Sequence, residues 1–178
     1  MPRRKGVNPR TKGNRAEKIM AKALSAWFGN CLRPGEEFHR TPRSGGLRWG
    51  KDNRVVGDIV PPDGFDFPYS VEIKSRQIGV ISIFDWMLSR PDSPIRKMWK
   101  QCVKGAKQTN KVPMLAFRYN GMPGDEFFIL LPRNFAISLD LELYATIMVR
   151  PRVCLFTLTE LTRCSTEMFV QAGKEYLG

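Results

Sequence analysis

Val55-Val56-Gly57-Asp58-Ile59-Val60 and Tyr69-Ser70-Val71-Glu72-Ile73-Lys74 are the segments from which the fold of this 178-residue chain can be read. Both are short and rich in β-branched residues, and both read as strands. Each carries an acid, and acids in such strands are costly to bury without a purpose. Glu72 and Lys74 stand two apart, so on a strand they project from one face. Between the segments lie Pro61, Pro62, Asp63, Gly64 and Pro68, a turn composition. A hairpin centred near Phe65 would set Asp58 opposite Glu72, with Cβ atoms roughly 5 Å apart. Two like charges that close repel unless a cation lies between them. A hard cation such as Mg²⁺, which takes oxygen ligands, would resolve the conflict. An acid-x-Lys tripeptide arises roughly once by chance in a chain of this composition. Weight therefore comes from its context: an apolar strand, a preceding turn and a second acid at a matching position. The alternative is a pair of surface strands with exposed charges.

Composition narrows the classes. Hydrophobic residues make up 42% of the chain and phenylalanine occurs 11 times, enough for a folded core. No run of 18 apolar residues is present, so no membrane helix and no membrane partner are expected. The basic N-terminus has no apolar stretch behind it, unlike a signal peptide. Cys31, Cys102, Cys154 and Cys164 form no C-x-x-C pair, and His39 is the only histidine. That argues against structural zinc and for reduced thiols in a cytoplasm. The net charge is +12 and uneven: residues 1–54 carry 14 Lys/Arg against 4 Asp/Glu, whereas 55–178 carry 15 against 13. Such asymmetry points to a polyanion, nucleic acid before membrane.

Along the chain, residues 1–12 read as a flexible basic arm and 13–178 as a single domain, with a core at about 13–132 and a C-terminal extension at 133–178. Asn14 can cap a helix running to about Phe28, with Glu17 three positions on as in a capping box. Its apolar stripe reads Ile19, Ala23, Ala26 and Trp27. Phe38 to Arg43 reads as an edge strand because of Pro42. The loop Ser44 to Asp52 is Gly-rich and basic, suited to phosphate contact but without a Walker A pattern. A short helix is expected within Ile78 to Leu88. Ser93 caps a helix from about Pro94 to Asn110. There Lys97, Lys100, Lys104, Lys107 and Lys111 share one face, with Met98, Trp99, Cys102, Val103 and Ala106 opposite. No acid lies between Ser93 and Gly124 to pair with them. Val112 to Arg118 and Phe127 to Leu131 read as a hairpin, and Val153 to Leu158 as a final strand. Candidate nucleic-acid contacts are Arg3, Arg4, Lys5, Arg15, Arg40, Arg43, Arg48, Lys51, Arg76, Lys100 and Lys104.

The order of Gly13-Asn14-Arg15-Ala16-Glu17, Arg40-Thr41-Pro42-Arg43-Ser44-Gly45, Gly57-Asp58-Ile59, Val71-Glu72-Ile73-Lys74-Ser75 and Trp99-Lys100-Gln101 resembles the PD-(D/E)xK nuclease superfamily. Within it, the chain is similar to the archaeal-type Holliday-junction resolvases and their phage-encoded relatives, over about residues 12–132. The resemblance implies an α/β (α+β), restriction-endonuclease-like mixed β-sheet flanked by helices, usually in a homodimer. It implies Mg²⁺, with Mn²⁺ able to substitute, and hydrolysis of DNA phosphodiesters, with a branched four-way junction as substrate. Asp58 and Glu72 would bind the metal, Glu17 would complete its shell directly or through water, and Lys74 would orient or deprotonate the attacking water. Ser44 would lie near the scissile phosphate and Gln101 near the site. The alternatives are another nuclease on the same site, nicking or degrading DNA, and a non-catalytic nucleic-acid-binding protein with structural acids.

The chemistry also follows from the residues. Phosphodiester cleavage needs a hard Lewis acid, an activated water and charge relief for the leaving oxygen. Asp58 and Glu72 can hold a metal, and Lys74 can supply a cation or a base. Histidine-dependent schemes have only His39 to draw on.

Overall fold

The computed structural model describes residues 9–41, 57–75, 92–119, 124–138, 147–149 and 153–178, with residues 85, 86, 88, 90 and 122. Helix α1 spans Pro9–Trp27 and runs into a 3₁₀ turn at Gly29–Cys31. Strands β1 (His39–Arg40), β2 (Ile59–Val60) and β3 (Tyr69–Ser75) follow, then α2 (Pro94–Gln108), β4 (Val112–Arg118) and β5 (Phe128–Pro132). The chain ends with α3 (Arg133–Ser138), β6 (Ile147–Val149), β7 (Val153–Thr157), α4 (Leu158–Leu161) and α5 (Thr166–Leu177). Among the described residues, five strands form one mixed sheet in the order β3-β4-β5-β7-β6, flanked by helices as expected. The β3–β4 pair is parallel and sets Glu72 beside Leu115; α2 is the crossover that parallel pairing requires. The expected β4–β5 hairpin is antiparallel, with Leu115 beside Leu130.

Side-chain alternation divides the core between the two faces. From β4, Met114 and Ala116 join Met20 and Leu24 of α1 and Phe169 of α5, while Leu115 and Phe117 join Ile95, Met98 and Cys102 of α2. On β3 the same alternation sends Tyr69, Val71 and Ile73 into the first cluster. Ser70, Glu72 and Lys74 are left on the α2 side.

Several expectations need correction. Helix α1 begins at Pro9, so residues 9–12 are helix rather than arm, and Asn14 lies inside the helix instead of capping it. Proline suits a first helical position because the missing N–H has no intrahelical acceptor there. The buried stripe of α1 is Ala16, Met20, Leu24 and Phe28, one residue away from the expected register, and Ala26 is exposed. Ser93 does stand at the α2 N-cap, but its hydroxyl makes no cap bond and is buried without a partner among the described residues. The lysine face of α2 is exposed at Lys97, Lys100, Lys104 and Lys107, and Asp92 pairs with Lys97 at 3.4 Å. Most of the helix expected within Ile78 to Leu88 lies outside the described residues.

The segment read as an extension is part of the core. Strand β7 pairs with β5 on one side and β6 on the other. Phe169 of α5 stacks on Tyr69 with ring centroids 4.2 Å apart, and the Tyr69 hydroxyl donates to the Phe169 carbonyl at 2.5 Å. Gly173 lets α5 approach this closely: a Cβ there would lie 2.6 Å from Pro68 Cγ and 2.7 Å from Tyr69 Oη. Gly173→Ala is therefore expected to cost about 2 kcal/mol by overpacking. Thermal unfolding should shift down by several degrees, with the activity per folded molecule retained; an unshifted transition would refute this close packing.

Candidate active site

The site grows on the outer edge of the sheet. Among the described residues strand β3 is terminal in the strand order, so one row of its backbone groups has no neighbouring described strand. Asp58 fills that gap. Its N–H donates to the Val71 carbonyl at 2.7 Å, and its Oδ2 accepts the Ile73 N–H at 2.7 Å. Residue 58 thus brackets residue 72. The expected juxtaposition of Asp58 with Glu72 occurs, but not through a β2–β3 hairpin. Strand β2 pairs instead with β1, Arg40 beside Ile59, in a separate two-stranded sheet. The physical reason is that β2 is only two residues long, and its partner lies earlier in the chain.

Two further contacts hold the Asp58 backbone. The Thr41 N–H donates to the Asp58 carbonyl at 2.9 Å, and Thr41 Oγ1 donates to the Gly57 carbonyl at 2.8 Å. Gly57 has φ +96°, a left-handed conformation, and a Cβ there would stand 2.6 Å from the Val71 carbonyl oxygen. Only glycine fits both demands. Neither Thr41 nor Gly57 was singled out from the sequence as a site residue. The available signal was glycine immediately before a strand acid.

Electrostatics single out Asp58. It is buried, and its pKa is raised from 3.8 to about 7, first by burial and then by the Glu72 carboxylate. The Ile73 N–H lowers it, Glu17 raises it and Lys74 lowers it. Glu72 Oε1 is ion-paired with Lys74 Nζ, both side chains being mostly buried. Gln101 of α2 reaches the same oxygen with its Nε2 at 3.3 Å. Glu17, buried on α1, binds Arg40 Nη1 at 3.2 Å. Cys102 lies buried behind Glu72, and burial pushes its thiol well above the usual range, so it is not an ionised nucleophile.

Glu17, Asp58, Glu72, Lys74 and Gln101 are therefore brought into one neighbourhood. Ser44, Arg3, Arg4, Lys5, Arg43, Arg48, Lys51 and Arg76 lie outside the described residues. Arg15, Lys100 and Lys104 are exposed, whereas Arg40 is half-buried against Glu17. Among the described residues, no three His, Cys, Asp or Glu side chains close into a ready-made metal ligand group. What is present suits a cation that keeps most of its water. Mg²⁺ is usually held by one or two carboxylates, completed by water and substrate phosphate oxygens. Asp58 and Glu72 offer such an all-oxygen pair, and the Asp58 pKa is raised first by burial and then by the Glu72 carboxylate beside it.

A family model described as "Phage putative PDDEXK endonuclease" matches residues 8–170. That match runs well past residue 132 and takes in β7, α4 and the first turn of α5, in keeping with their place in the core. Protein D14 of Escherichia phage T5 is 31% identical over 114 residues, which is 63% of this chain. The match spans 65% of that protein, less than two thirds of its length. No solved structure gives a significant match.

Proposed function

The chain belongs to the phage PDDEXK endonuclease family, and from that premise we propose a Mg²⁺-dependent endonuclease that resolves four-way DNA junctions by paired nicks. The observation that supports this best is Asp58, clamped between Val71 and Ile73 beside Glu72, with its carboxyl raised to about 7.

Asp58 and Glu72 would hold the divalent cation, Mg²⁺ or Mn²⁺. When bound, it would polarise the scissile phosphate and relieve charge on the leaving oxygen. Lys74, already beside Glu72, would orient the attacking water or take its proton. Gln101 would steady Glu72 through its Nε2 contact. Glu17 is engaged by Arg40, so its part would be at the outer shell, through water. Ser44 would stand near the scissile phosphate. Arg15, Lys100 and Lys104, together with Arg3, Arg4, Lys5, Arg43, Arg48, Lys51 and Arg76, would meet DNA phosphates. Residues 13–178 would form one nuclease domain.

The junction preference rests on the resemblance of the ordered motifs to those of junction resolvases. Symmetric nicks on a four-way junction suit a homodimer with twofold symmetry, which presents one site to each strand. No described helix is long and apolar enough to cross a membrane. The four free cysteines suit action in the reducing host cytoplasm.

The test is an assay of labelled four-way junction against matched linear duplex, in Mg²⁺ or in EDTA. Junction strands should be nicked in Mg²⁺, remain intact in EDTA, and be cut at least tenfold faster than duplex. Equal cutting of both substrates would remove the resolvase assignment and leave the nuclease; intact strands in Mg²⁺ would remove both.

A further inference from the structure

Lys18 and Lys22 of α1 line a cleft with His39 and Arg40 of β1, with a volume of about 510 Å³. Its walls are tied together where the Phe38 N–H donates to Ser25 Oγ at 2.9 Å. Lys18 and Lys22 are exposed, and among the described residues neither has an ion-pair partner. Glu37 is the only acid among the described lining residues. Arg40 is offset by Glu17, so the positive charge of the cleft is carried by Lys18 and Lys22 against the single carboxylate of Glu37.

Its position connects it to the catalytic acids. Arg40 lines the cleft and also binds Glu17 at 3.2 Å. The next residue, Thr41, fixes the backbone of Gly57 and Asp58. Arg15, Lys18 and Lys22 are spaced three and four apart, so they share one face of α1. At a helical rise of 1.5 Å per residue they span about 10 Å, roughly three phosphates of one strand along a duplex axis. A cation row of that length beside the reacting acids matches a polyanionic strand.

We propose that this cleft seats the phosphate backbone of the duplex flanking the cut, with Lys18 and Lys22 as its phosphate contacts. The proposal rests on the nuclease assignment above and adds to it where the uncut part of the substrate lies. Lysine serves such a contact as a point charge, so its effect is electrostatic and insensitive to sequence.

The experiment uses the full chain and a fluorescein-labelled linear duplex in EDTA, with anisotropy read across a salt series. Lys18→Gln with Lys22→Gln should lower the slope of log affinity against log salt by about 2, since each phosphate contact carries about 1. Affinity at 0.1 M salt should fall by about tenfold or more. With Mg²⁺ and labelled substrate, KM should rise while kcat stays within about twofold. Lys18→Arg with Lys22→Arg should restore the wild-type slope. If the wild type binds and cuts DNA but the glutamine variant keeps its slope, the cleft assignment is overturned and the nuclease stands. An unchanged slope with an altered sedimentation coefficient would assign the cleft to a contact between copies, also overturning it. Failure of the wild type both to bind and to cut would remove the two assignments together.

Discussion

Asp58→Asn is expected to abolish cleavage while making the metal-free protein more stable at neutral pH. The two effects have one cause. The Asp58 carboxyl has its pKa raised from 3.8 to about 7 by burial and by Glu72. In the unfolded chain it ionises near pH 4; in the metal-free native protein it keeps its proton until about pH 7. The native state therefore binds more protons between those values. Stability from this group is full below about pH 4 and is lost as pH rises to about 7. A shift of about 3 units corresponds to a ceiling of roughly 4 kcal/mol at about 1.4 kcal/mol per unit. Asparagine removes that penalty and can still accept the Ile73 N–H through its amide oxygen. In EDTA at pH 8, the variant should melt several degrees above wild type, and the gap should close toward pH 4. Added Mg²⁺ should raise the wild-type transition and leave that of the variant unmoved, because metal ligation requires the ionised carboxylate. Wild-type metal affinity should accordingly climb up to about pH 7 and then flatten. Junction binding by the variant should persist, since losing a negative charge does not weaken contact with phosphate. A variant that cuts at the wild-type rate would show that the site has been misplaced. One that melts no higher than wild type would show that Asp58 is not held under charge stress.

Gly57→Ala should have the opposite effect on stability and should also lower activity, though without abolishing it. The residue has φ +96°, and its new Cβ would meet the Val71 carbonyl oxygen at 2.6 Å and the Val71 nitrogen at 3.1 Å. Those atoms are backbone of β3, which is bound along its other side to β4, so it cannot yield as a flexible side chain would. Left-handed strain and overpacking together should cost about 3 kcal/mol or more. At roughly 2–4 °C per kcal/mol for a chain of this size, the melting temperature should fall by about 6–12 °C. Cleavage should drop by about a hundredfold even well below that temperature, because a displacement near 1 Å moves Asp58 relative to Glu72. This contrasts with Gly173→Ala, where the clash lies in the core behind the sheet and the activity per folded molecule should survive. Wild-type melting and cleavage in Gly57→Ala would mean that the turn tolerates a side chain, so the close approach of residue 57 to β3 would not position the site.

Local patterns were legible where the chain solves its packing over short distances. The alternation in Tyr69 to Lys74 announced a strand with Glu72 and Lys74 on one face. Helix α2 followed from Pro94 and the spacing of its lysines, and β4 with β5 from two apolar runs around a Gly/Pro turn. Misreadings fell where a distant partner decides. The buried stripe of α1 is set by the faces of Tyr69, Met114 and Phe169, far along the chain, so counting small apolar residues chose a neighbouring register. Residues 133–178 read as a C-terminal extension, even with Val153 to Leu158 read as a strand, because nothing local reveals that β7 is inserted between β5 and β6.

The sequence by itself determined the chemical inventory: which carboxylates and which lysine stand on apolar strands, and which faces they share. That much follows from a side-chain period of two, a property of the local backbone. Only the tertiary structure decided how Asp58 meets Glu72. Among the described residues no strand pairs with the outer edge of β3, and a residue with both an N–H and a carboxylate can satisfy two of its backbone groups at once. It also tied Glu17 to Arg40, across 23 positions of sequence. Such meetings depend on which polar groups the assembled sheet leaves unsatisfied, and that is known only once the strands have been ordered in space.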